Sequence, residues 1–110
     1  MGYDVELALR IRELIAAEKG LTEQKMFGGL AFLIGGNMAI AASGQGGLLV
    51  RVNPADTDKL VSNPGASVMV MRGKAMPGWL RVDGATVTTK RELGTWVKRG
   101  VTYARSLPAK

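Results

Sequence analysis

The sequence contains no cysteine and no histidine. Thiolate nucleophiles, imidazole bases and the common zinc and haem sites are therefore excluded. No disulfide can form, which fits a cytoplasmic protein. Aromatic residues are scarce, with two each of Trp, Tyr and Phe. Few rings leave little on which nucleic-acid bases could stack. No apolar run approaches the ~20 residues of a membrane span. The run from Leu30 to Ile34 is only strand length. The opening residues, MGYDVELALRIRELIAAEKG, interleave charges with apolar residues and lack the unbroken core of a signal peptide.

What remains is a chain of 110 residues, 46% hydrophobic. That length and apolar content predict one globular domain over residues 1–110, with a core that needs no staples. The net charge is +6 and the pI about 10.1. The excess is uneven. Residues 72–110 carry nine Lys and Arg against Asp83 and Glu92, whereas acids and bases nearly balance before them. Such asymmetry marks either a polyanion-binding face or a solvated surface.

Apolar positions Leu7, Ile11, Leu14 and Ile15 recur at helical spacing and predict a helix over 4–19, with Asp4 as cap and Gly20 at its end. Strands are expected at 30–34 and 37–42, joined by Gly35-Gly36, and again at 48–52. Pro54 opens a predicted helix over 54–63, capped by Asn53. Strands at 68–72 and 79–83 follow, with GKAMPG (73–78) as a loop between them. A long helix over 88–107 closes the chain. The expected order is α-β-β-β-α-β-β-α: an α+β fold with a curved antiparallel sheet of about five strands and flanking helices.

The stretch KMFGGLAFLIGGNMAIAA (25–42) raises the question of a phosphate-binding loop. Its spacing rejects one. The sole Gly-Lys pair, Gly73-Lys74, is followed by alanine, and the position of the first glycine of such a motif is Val68. Gly35 and Gly36 instead suit a hairpin turn, and Gly28 and Gly29 a bulge or sharp bend. Lys25 is expected to guard an edge strand.

No set of residues points to catalysis or to a metal, and no cofactor is expected. The acids fall mainly on helices, where solvation or the helix dipole explains them. The serines have no histidine partner. The last helix places Leu93, Trp96, Val97, Gly100, Val101, Ala104 and Leu107 on one face. Lys90, Arg91, Lys98, Arg99 and Arg105 fall on the other. That basic face is either solvated or a site for a phosphate backbone or an acidic partner, and without base-reading residues any nucleic-acid binding would be non-specific. Trp79, with Arg72, Lys74 and Arg81 near it, is a candidate protein interface if exposed and a core lid if not. Met69, Met71 and Trp79 could also support a homodimer.

The KMFGG segment, the LAFLIGGNMAIAA hairpin, the LLVRV strand and the closing TWVKRGVTYARSLP helix resemble the N-terminal domain of the TfoX/Sxy family over nearly the whole chain. The resemblance implies a fold like that of secretion chaperones and an N-terminal domain standing without the C-terminal domain of full-length members. It implies a regulator of natural competence, acting with a cyclic-AMP receptor protein in transcription, and hence a protein partner. It brings no catalytic residues. In the segment Lys25, Met26, Phe27, Gly28, Gly29, the phenylalanine would fill core and the glycines would bend the strand.

Overall fold

The computed structural model describes residues 3–26 and 28–109. Helix α1 spans Val5–Ile15 and buries Leu7, Ala8, Ile11 and Ile15. Asp4 caps it by accepting a hydrogen bond from the Leu7 amide at 3.1 Å. The helix stops four residues short of its expected end, after its last buried residue.

A six-stranded antiparallel sheet follows, ordered β1-β2-β3-β4-β6-β5. Its strands are β1 Leu21–Met26, β2 Gly29–Ile34, β3 Asn37–Ala42, β4 Leu48–Arg51, β5 Ala66–Met71 and β6 Lys74–Val82. Sequence patterning predicts about five. The additional strand is β1, LTEQKM, whose four middle residues are all exposed. It is an edge strand held through its backbone to β2, so it lacks the apolar alternation by which strands are recognised.

Gly35 and Gly36 both have positive φ, 59° and 84°, as the expected β2–β3 hairpin requires. Gly28 lies in the turn joining β1 to β2, and Gly29 opens β2 opposite Met26. These two glycines therefore make the expected sharp bend, as the turn of a second hairpin, and not a bulge. The expected core role of Phe27 lies outside the described residues. A bulge does occur in β3. Phe32 pairs with Ile40 and Leu33 with Met38, which leaves Ala39 as the extra residue.

Two further expectations are corrected. Residues 74–78 belong to β6, not to a loop, because Arg72 and Gly73, with φ of 53° and 77°, suffice to turn the chain. Pro77 is tolerated where the β5–β6 register shifts between Val68 and Val70. The middle helix is short: a tight turn at Pro54–Asp56 and then α2 at Thr57–Leu60. The Thr57 hydroxyl pins it, donating to the Pro54 carbonyl and accepting from the Gly78 amide, both at 2.8 Å.

Helix α3, Lys90–Ser106, starts from a capping box in which Thr89 and Glu92 satisfy each other's backbone amides. Its expected apolar face is buried from Leu93 to Ala104, with Leu107 half-buried beyond its end. Helices α1 and α3 pack on one face of the sheet around Phe32, Ile40, Leu48, Val50 and Leu80. The other face carries a separate cluster made only of strand residues.

Candidate protein-binding face and basic helix

Every methionine among the described residues belongs to that second cluster: Met26, Met38, Met69, Met71 and Met76. Ala31, Leu33, Ala41 and Leu49 form its buried floor, and Trp79 packs against it. Among the described residues, no helix residue takes part. Strands β1 and β5 are opposite edges of the sheet, yet Met26 and Met69 line one cavity of about 270 Å³. The sheet therefore curls until its edges approach across this face.

Arg72 and Arg81 line the same cavity, and among the described residues no acid does. Strand β6 carries Arg81 inward, and its guanidinium donates to the Ser43 hydroxyl at 3.2 Å. Arg72 sits in the β5–β6 turn in a left-handed conformation that few non-glycine residues adopt. Lys74 follows it, exposed and outside the lining. Trp79 is half-buried, so it is neither a closed lid nor a free anchor. The Arg51 guanidinium lies 5.0 Å from its ring centre and 5.6 Å from that of Tyr103.

The five bases predicted on the last helix do not form one uniform free surface. Lys90, Arg91 and Lys98 are exposed. Arg105 is engaged, pairing with Glu18 at 2.7 Å and also donating to the Lys19 carbonyl. Arg99 turns aside and stacks 4.5 Å over the Trp96 ring. Lys98 and Arg99 instead line a groove of about 560 Å³ between α2 and α3, facing Asp56 and Lys59. Lys59 is absent from the sequence-derived set, because only the fold brings α2 against α3.

Lys25 lies exposed on edge strand β1, as its expected guarding role requires. Its neighbour Glu23 is held by Arg12 of α1 through two bonds of 2.7 and 2.8 Å. The hydrogen bonds from Arg12 keep the Glu23 carboxyl below its ordinary pKa, against a smaller opposing effect of burial. Among the described residues, no group of three or more acids could hold a metal ion. No described helix is long and apolar enough to cross a membrane.

No curated protein and no solved structure matches the chain. The family profile of the TfoX N-terminal domain, in contrast, matches residues 13–104, from the end of α1 through nearly all of α3. With that span covering the whole sheet and both of its faces, the chain belongs to the TfoX N-terminal domain family.

Proposed function

We propose that this chain is a small cytoplasmic regulatory domain without catalytic activity, acting by binding a protein of the transcription machinery in the manner of a competence regulator. The observation that supports this reading is the sheet face that no described helix covers. Methionines Met26, Met71 and Met76 and Trp79 are each half-buried there, beside Arg72 and Arg81 and without an acid in the cavity lining. Methionine adapts to varied apolar partners, and tryptophan and arginine carry much of the energy of protein interfaces. Calorimetric titration against RNA polymerase and a cyclic-AMP receptor protein from the same organism tests the reading. Association that tolerates salt and is weakened by Trp79→Ala is expected. No association with either protein would refute it.

The alternative reading is non-specific nucleic-acid binding along α3. It has Lys90, Arg91 and Lys98 in its favour. It is weakened by Arg105 being paired to Glu18 and Arg99 being stacked on Trp96.

A further inference from the structure

The two edges of the sheet are treated differently. Strand β1 presents Glu23 and Lys25, and Arg12 of α1 reaches over to clasp Glu23. Charges of this kind stop an edge from pairing with another chain. Strand β5, ASVMVM, carries no charge at all. It holds two β-branched residues, Val68 and Val70, and among the described residues its only strand neighbour is β6. Val70, at 60% exposure, is the most exposed large hydrophobic residue described. One long side of β5 is thus an open row of backbone donors and acceptors with nothing to repel a partner.

The side chains of β5 add direction. Met69 and Met71 join the methionine cluster, whereas Ala66 and Val68 pack against the main core. The cavity beside Met69 and Met71 is also lined by Arg72, just past the end of β5, and by Arg81, which lies opposite Ser67 near the start of β5. An added strand would place alternate side chains next to the methionines, with Arg81 toward one of its ends and Arg72 toward the other.

We propose that β5 is a strand-addition site, which takes an extended apolar peptide segment of a partner protein, flanked by acidic residues, as a seventh strand. Backbone hydrogen bonds to β5 supply affinity, and the methionine cavity with Arg72 and Arg81 supplies selectivity. Charge decides between this occupant and a second copy of the chain. A second copy brings a net charge of +6 and the same basic hairpin to the same edge. An acidic peptide brings the complementary sign. The proposal rests on the reading of the chain as a protein-binding domain, and names the edge and the chemistry of its partner.

The test uses synthetic peptides with a Val-Thr-Val-Thr-Val core, flanked by glutamates in one and by lysines in the other, and followed by fluorescence anisotropy and amide hydrogen exchange. The glutamate peptide is expected to bind and to slow exchange of amides in β5. The lysine-flanked peptide is expected to bind at least about tenfold more weakly. Val70→Lys, at an exposed position, is expected to keep the melting temperature and reduce binding at least about tenfold. Arg72→Gly keeps the turn and is expected to narrow the difference between the two peptides. Equal binding to Val70→Lys, or binding that leaves β5 exchange unchanged, would overturn the proposal. So would a dimer in sedimentation that Val70→Lys dissociates and the peptide does not displace, since β5 would then serve a second copy. Transcription proteins that bind wild type and Val70→Lys equally would remove the edge and leave the protein-binding reading standing. Peptide binding at β5 without any transcription partner would do the reverse.

Discussion

Gly100 of α3 rests directly against the carbonyl of Ala39, the bulged residue of β3. A β-carbon at position 100 would fall well inside van der Waals contact of that oxygen. The bulge and the glycine together let the helix sit close on the sheet. Gly100→Ala is therefore expected to cost about 1–3 kcal/mol, by pushing α3 outward. At Gly94, on the same helix, a methyl group would meet no other group within 4 Å. Gly94→Ala is expected to stabilise by about 0.5–1 kcal/mol. Thermal melts of the two variants check the contrast. Equal effects would mean that the close approach at Ala39 is not a constraint.

The Gly35-Gly36 turn gives a second expectation. Gly36 has φ of 84°, where a β-branched side chain is strained. Gly36→Val is expected to lose about 1–3 kcal/mol. An unchanged melting temperature would count against the turn.

Stability should fall on the acid side through Glu23. Its carboxyl pKa is lowered in the folded chain, chiefly by the hydrogen bonds from Arg12. The pair thus contributes above the ordinary carboxylate value of about 4.3, and that contribution is lost as pH falls through the lower folded value. The effect is small because both side chains are largely solvated. Glu23→Gln is expected to flatten the melting-temperature profile below about pH 4.3. A variant profile parallel to that of wild type would show that the pair carries none of the acid dependence.

The α3 face predicts weak DNA binding. With Arg105 tied to Glu18 and Arg99 over Trp96, few cations are left to meet phosphates. Random duplex DNA is expected to bind only at low salt, and the double variant Lys98→Glu, Arg99→Glu to abolish even that. Tight binding at physiological salt with a steep salt dependence, lost in the double variant, would favour the nucleic-acid reading.

What can be read from the residues alone follows periodicity and turn chemistry. Leu93, Trp96, Val97, Gly100, Val101 and Ala104 recur at helical spacing, and all are buried. Gly35-Gly36 between two apolar runs marks a hairpin, and it is one. Strand β1 leaves no such mark, because an edge strand can be polar throughout and still pair by its backbone. The short α2 reflects Thr57 bonded to Gly78, a contact between distant parts of the chain. The candidate site is legible only in pieces. Arg72, Lys74, Trp79 and Arg81 stand near one another in sequence, and all fall on the β5–β6 hairpin. Met26 joins Met69 and Met71 only because the sheet curls. The Arg105–Glu18 pair spans 87 positions, so periodicity on α3 cannot reveal that one of its bases is engaged.

The methionine face and the β5–β6 hairpin, rather than the basic side of α3, are the surfaces we propose for a protein partner. Amide chemical-shift mapping, on adding whichever transcription protein binds in calorimetry, tests that assignment most directly. Shifts concentrated in β5, in β6 and around Met26 and Trp79 are predicted, with the exposed positions of α3 little changed. Shifts confined to Lys90, Arg91, Lys98 and their neighbours, with β5 and β6 unperturbed, would contradict it.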